Sequence, residues 1–273
     1  MKLEVKSRDF CLEFLYNYYY YILKCNYDWE KNYLVMILQI DFSRIFLIFV
    51  IGMALAIFFL GLGWSILRRR KSRLNATFSG FYISIALGLL INAAYVIINE
   101  IFKSEPLALL LNYISAFLIT FGPIFMLATN RILLHSEVVY SLKSELKLLL
   151  IYGFALGFTI VFYLFDGIEL NESTNWRPIW SLPYFIYIII IVSAFTTMPT
   201  IYSSFKILIV MKDKKMKRRW IWLLIGLLGL YIYEYLVYLM NYLNSDFLRT
   251  LSSLYAITII LWVWLIYKGV KKE

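Results

Sequence analysis

Long apolar stretches alternate along this chain with short clusters of charge. Seven such stretches lie at about 42–67, 76–101, 107–130, 146–165, 181–210, 219–243 and 247–267, with ends uncertain by a few residues. Each is long enough to cross a bilayer as a helix, which takes roughly 20 residues. The strict apolar/polar alternation of a membrane β-barrel is missing. In lipid a helix satisfies its backbone polar groups within itself, so helices are the expected form of every run. The pattern predicts an all-α integral membrane protein, a seven-transmembrane helix bundle over residues 36–273. Its connections are too short for a soluble domain.

Residues 1–35 do not fit this plan. The stretch "FCLEFLYNYYYYILKC" is apolar for only about 15 residues and contains Glu13, which is short for a span. No small-residue cleavage site follows it, so it does not read as a signal peptide. Two readings stay open: an N-terminal extension lying at the interface on its tyrosines, or a protein that begins at Met36. The two cysteines, Cys11 and Cys25, fall in this segment and make no metal spacing. The single histidine, His135, has no Cys or His companion and reads as a loop residue.

Composition strengthens the membrane assignment. The chain of 273 residues is 62% hydrophobic and 16% charged, against about 45–50% and about 25% for a soluble domain. The net charge of +10 is concentrated in alternate connections. "RRRKSR" (68–73) follows the first run, including Arg68, Arg69 and Arg70. Arg131, Lys143 and Lys147 lie around the third-to-fourth connection. "KDKKMKRR" (212–219), with Lys214, Lys215 and Arg218, precedes the sixth run. The other connections carry one base each, Lys103, Arg177 and Arg249. Basic loops mark the cytoplasmic side, which places the N-terminus outside and the C-terminus in the cytoplasm. The basic clusters are read as topology signals, anionic-lipid contacts and a surface for a cytoplasmic partner, not as a nucleic-acid site. The expected location is the cell membrane. Trp64, Trp176, Trp180, Trp220, Trp222 and Tyr267 are expected at the interfaces. Asn171-Glu172-Ser173 forms a glycosylation triplet, but so does Asn75-Ala76-Thr77 on the opposite side, so the pattern weighs little.

Several activities are excluded by what the runs lack. A retinal-binding bundle needs a lysine within its last helix, and none occurs before Lys268. No phosphate loop, zinc-protease helix or nucleophile elbow is present. No enzyme and no cofactor are implied.

The order "RRRKSRLNATFSGFYISIALGLLIN", "FGPIFMLATNRILL", "NWRPIW" and "RRWIWLLIGLLGL" over residues 40–270 resembles the seven-helix N-terminal sensor region of membrane histidine kinases. In that family the helices sense and the cytoplasmic domains that follow carry the signal. Here six residues follow Tyr267, so the resemblance implies a free-standing sensor module that signals through a partner.

One acid interrupts the sixth run, in "GLYIYEYLVYLMNYL" (229–243). An ionised carboxyl at mid-bilayer costs from about 2.5 kcal/mol upward, so Glu234 is expected to face the bundle interior or water. Tyr231, Glu234, Tyr238 and Asn241 are spaced 3, 4 and 3 apart and share one stripe. Asn92, Tyr95 and Asn99 on the second run, Asn112 and Ser115 on the third, and Ser252, Tyr255 and Thr258 on the seventh lie at similar depth. If these faces converge, they line an outward polar pocket with Glu234 at its base, above tighter and more apolar inner halves. There Glu234 pairs with a cationic or amine-bearing ligand assisted by tyrosine faces, or holds a proton, or bonds a neighbouring helix as structural glue.

Pro123 and Pro199 are expected to perturb their helices, with Thr196, Thr197 and Thr200 satisfying the freed carbonyls. Gly153 and Gly157 form a small-xxx-small pair for a close helix contact or a homo-oligomer face. The leading functional expectation is a receptor-like sensor for an unknown small external ligand. The rival is a transporter using Glu234 for coupling, against which stand the odd helix number and the lack of a second buried ionisable residue. A scaffolding subunit is a third possibility.

Overall fold

A computed structural model describes the backbone of residues 46–69 and 72–270, and within them the side chains other than those of 46, 47, 99–101, 136–138 and 270. The N-terminal extension, Arg70 and the Asn99 side chain therefore lie outside the described residues.

Among the described residues, seven helices are long and apolar enough to span a membrane: Ile48–Arg69, Arg73–Ile98, Glu105–His135, Leu142–Leu164, Leu182–Val210, Lys214–Leu243 and Asp246–Gly269. They are numbered here as the first to seventh spans. Large apolar side chains stand exposed around them, Phe154 at 80% and Ile209 at 79%. Such surface is unfavourable in water by about 25 cal/mol per Å² and finds its solvent in lipid tails. The chain is an integral membrane protein with a helical bundle.

The sixth helix starts earlier than the apolar pattern foretells. Asp213 caps it, its carboxylate accepting the Lys215 amide at 2.8 Å, so the basic run Lys214–Arg219 forms helix turns instead of loop. Ser141 caps the fourth span in the same way. The connection from the fourth to the fifth span also departs from an all-helical plan. It folds as a small hairpin in which β1 (Ile168–Glu169) pairs antiparallel with β2 (Ile179–Trp180). Asn171 organises the turn between them, exchanging side-chain and backbone bonds with Thr174.

Several helices of the bundle meet their neighbours through glycine. A Cβ on Gly226 would stand 2.5 Å from the Trp262 carbonyl oxygen, and one on Gly229 2.3 Å from the Trp262 ring. The sixth and seventh spans therefore approach closer than alanine permits. Gly88 does the same for the second and third, its Cβ position lying 2.9 Å from the Ile119 amide nitrogen. Gly153 and Gly157 face Phe121 and Tyr113 of the third span, and Tyr113 donates to the Gly157 carbonyl at 3.1 Å. That stripe is thus used inside the bundle.

Two apolar clusters make up most of the core. One is built mainly from the first, second, sixth and seventh spans around Phe59, Tyr82, Leu227 and Val263, with Met126 of the third and Ile207 of the fifth. The other joins the third to sixth spans and the hairpin around Leu127, Tyr152, Tyr184 and Trp180. Trp180 and Trp220, expected at the interfaces, are buried. The Trp220 indole nitrogen donates to the Ser204 carbonyl at 3.0 Å, a bond that draws the ring inward.

Pro123 sits within a continuous helix, Glu105–Val139. The fifth span is irregular, with a π-helical segment, Ser193–Thr197, immediately before Met198 and Pro199. A π turn widens the helix and commonly occurs at functional positions. Thr196 donates to the Val192 carbonyl at 2.7 Å, a different carbonyl from that of Phe195, which lies four residues before Pro199 and loses its helical donor there.

Candidate functional site

Glu234 is nine residues before the last residue of its helix, Leu243, hence roughly 14 Å from that end. This is the half of the bundle away from the basic connections. The carboxylate is half-buried and accepts a hydrogen bond from the Tyr238 hydroxyl one turn on. Tyr238 is also 3.4 Å from the Thr120 hydroxyl, and Tyr152 of the fourth span donates to the Thr120 carbonyl at 2.8 Å. The Tyr238 ring lies 5.5 Å from that of Trp180 and 5.9 Å from that of Tyr235. Tyr235 in turn meets Ser193 at 2.6 Å and donates to Thr197 at 3.2 Å. The acid is thus held among aromatic groups between the third, fourth, fifth and sixth spans, one residue from a side chain that grips both ends of the π-helical segment.

The wider pocket foreseen from the sequence divides among several sites. Tyr231 and Asn241 are buried on the same stripe as Glu234. Tyr95 donates to the Trp176 carbonyl at 2.5 Å, tying the second span to the hairpin loop. Asn112 accepts from Tyr163 at 2.9 Å, and Ser115 donates to the Gly88 carbonyl at 2.9 Å. Tyr255 donates to the Gly229 carbonyl at 3.1 Å, and Ser252 to the Met240 sulfur at 2.9 Å. Asn92 is half-buried on the second span. These groups bond across pairs of helices; the residues that bond around Glu234 are Tyr238, Thr120, Tyr152 and Tyr235. Tyr235 belongs to the same aromatic run and lies next to the acid, a signal the stripe argument passed over because it falls 100° away around the helix.

The inner half is more polar than expected. Asn130 is fully buried and donates to the Thr200 carbonyl at 3.1 Å, to Ser203 at 2.9 Å and to Ser204 at 2.8 Å. With Trp220 bonded to Ser204, a polar seam runs between the third, fifth and sixth spans toward the basic end. The Ser203-Ser204 pair one turn after Thr200 was its sequence signature.

A buried acid is also present at the basic end, contrary to expectation. Glu145, 5% exposed, lies 3.2 Å from the Arg73 guanidinium and accepts from Thr77 at 2.5 Å. Arg73 donates to the Tyr140 carbonyl as well. This ion pair joins the second and fourth spans at the basic end. Flanked by Lys143 and Lys147, Glu145 looks in the sequence like part of a solvated charge cluster. In the other basic segments Arg68, Arg69, Lys214, Lys215 and Arg218 are exposed, and Arg131 is half-buried beside Tyr140.

Among the described residues no group of three or more His, Cys, Asp or Glu side chains is arranged to hold a metal. Comparison of the chain with protein-family models, curated proteins and solved structures finds no match. The fold alone defines the class, an integral membrane protein built on a bundle of seven membrane-crossing helices.

Proposed function

We propose that this protein is a free-standing seven-transmembrane sensor of the cell membrane, with its N-terminus outside and its C-terminus in the cytoplasm. A small cationic or amine-bearing ligand reaches Glu234 from the outer side and is held by the carboxylate and the faces of the surrounding tyrosines. Binding shifts the fifth and sixth spans, and the basic ends of the helices pass the shift to a cytoplasmic partner. The observation that carries this reading is the bonding of Tyr235, the neighbour of Glu234, to both Ser193 and Thr197. A ligand that takes the carboxylate from Tyr238 disturbs the packing of the Tyr238 ring on Tyr235, the side chain that holds the π-helical segment, and a π segment is an element with an alternative packing.

A second reading, a transporter coupled through Glu234, is favoured by the polar seam. Tyr231, Thr200, Asn130 and Ser203 continue from the level of Glu234 toward the basic end.

Ethanolamine, choline and putrescine, each added to protein in lipid nanodiscs and to proteoliposomes, separate these readings. A sensor gives a saturable rise in melting temperature with at least one amine, abolished by Glu234→Gln, and no uptake of that amine into vesicles. Uptake lost in Glu234→Gln establishes the transporter instead. If none of the three shifts melting or enters the vesicles, Glu234 is not an amine site.

A further inference from the structure

Near their basic ends, three spans carry the same pair of side chains on an exposed face. Trp64 and Arg68 lie on the first span, Tyr202 and Lys206 on the fifth, and Trp264 and Lys268 on the seventh. In each pair the aromatic residue precedes the cation by one helical turn, and all six side chains are exposed. Helical side chains lean toward the N-terminus, so each cation reaches back over the ring before it. The guanidinium of Arg68 stands 4.7 Å from the centre of the Trp64 ring. The ammonium groups of Lys206 and Lys268 stand 4.9 and 3.8 Å from the rings of Tyr202 and Trp264. The three sites share one end of the bundle. The first span runs into the short basic connection before Arg73, Ser204 of the fifth is bonded to Trp220, and Gly269 of the seventh faces the Arg219 carbonyl.

The direction of the stems matters. A basic side chain that snorkels extends away from the bilayer centre to place its charge in water. These three spans all run toward the basic end, so leaning back over the ring turns each cation toward the bilayer instead. Lys206 is four residues before the end of its span, hence roughly 6 Å inside it. The exposed neighbours are apolar, Ile209 at 79% and Leu261 at 49%. Among the described residues none of the three cations is paired with an acid. The anion available at that depth is a lipid phosphate. A choline headgroup is disfavoured, because the protein's own cation already covers a face of each ring and repels a second positive charge.

We propose that these three aromatic–cation pairs are docking sites for anionic phospholipid in the leaflet at the basic end, with the headgroup phosphate on the cation and the acyl chains along the exposed apolar face. The sites go beyond the sensor reading and stand without it. They assign Arg68 to lipid instead of to a cytoplasmic partner.

The test uses full-length protein in phosphatidylcholine nanodiscs containing a lipid brominated on its acyl chains, with either a phosphatidylglycerol or a phosphatidylcholine headgroup. Bromine quenches the fluorescence of a tryptophan it touches, so Trp64 and Trp264 report which headgroup gathers beside them. The expected result is a preference of about fivefold for phosphatidylglycerol, the worth of one base beside an anionic lipid. The preference falls by about that factor in the triple variant Arg68→Gln, Lys206→Gln, Lys268→Gln, whose side chains keep much of their length and lose their charge. Should the triple variant fold poorly, Lys268→Gln alone, read through the Trp264 ring beneath it, carries the comparison. Equal quenching by the two headgroups in the parent protein overturns the proposal. A preference that the variants retain belongs to the remaining bases and overturns it equally. Equal quenching together with binding of polyglutamate from solution, weakened in the triple variant, gives the cations to an acidic protein and also overturns it.

Discussion

Arg73 and Glu145, 72 positions apart in the chain, face each other at 3.2 Å and lock the start of the second span to the start of the fourth. Thr77 and the Tyr140 carbonyl complete the cluster. Removing one partner of a buried pair strands the other, at a cost of about 3 kcal/mol. Glu145→Ala is expected to lower stability by about that much, read from unfolding in mixed micelles. Replacing both partners, Arg73→Met with Glu145→Leu, recovers most of the loss. A double variant as unstable as the single one would show that the pair contributes more than mutual neutralisation.

The glycines of the sixth span give a second expectation. The atoms facing Gly226 belong largely to the backbone of the seventh span, at 2.5 and 3.0 Å from a Cβ, and cannot swing aside. Gly226→Ala is expected to cost about 1–3 kcal/mol through overpacking. Gly61→Ala, with nothing within 4 Å of its Cβ position, is expected to be neutral or slightly stabilising, because alanine is the better helix former. Thermal melting of the two variants side by side checks the contrast.

The spans were legible because length and hydropathy suffice to mark them, and the stripe from Tyr231 to Asn241 was legible because i+3 and i+4 spacing fixes a face. The partners of that face were not. Spacing tells which residues share a stripe but not which neighbouring helix the stripe meets, so Asn112 was grouped with Glu234 although it bonds Tyr163. Asn130 and Glu145 were missed for a related reason. A single polar residue near a helix end reads as solvated until tertiary packing covers it, as it covers both here.

At the candidate site itself, the Tyr238 hydroxyl is bonded to the Glu234 carboxylate. Tyr238→Phe removes this donor and leaves the ring contact with Trp180 intact. The carboxyl infrared band of Glu234, assigned by its loss in Glu234→Gln, is expected to move in Tyr238→Phe, and stability to fall by about 1 kcal/mol or less, the range for a side-chain bond between membrane helices such as that of Tyr238 with Thr120. An unmoved band would show that the carboxylate is held by another group. The same spectra recorded with ethanolamine, choline or putrescine connect this bond to the sensor reading, since a bound amine shifts the band in the parent protein and not in Glu234→Gln.

Orientation is the premise on which an external ligand and a cytoplasmic partner both rest, and the two ends of the bundle offer well-placed probes. Ser173 is exposed in the turn of the hairpin, and Lys215 is exposed in the first turn of the sixth span. With Cys11 and Cys25 replaced by serine, Ser173→Cys and Lys215→Cys each provide a single thiol. A membrane-impermeant maleimide applied to intact cells is expected to label Ser173→Cys fully and Lys215→Cys only after permeabilisation. The positive-inside asymmetry leads to this outcome, because bases near helix ends resist translocation while the hairpin end carries one base per connection. The reverse labelling would put Glu234 nearer the cytoplasm, and the ligand would then be a cytoplasmic amine, with the basic end facing outward and no partner to receive a signal there.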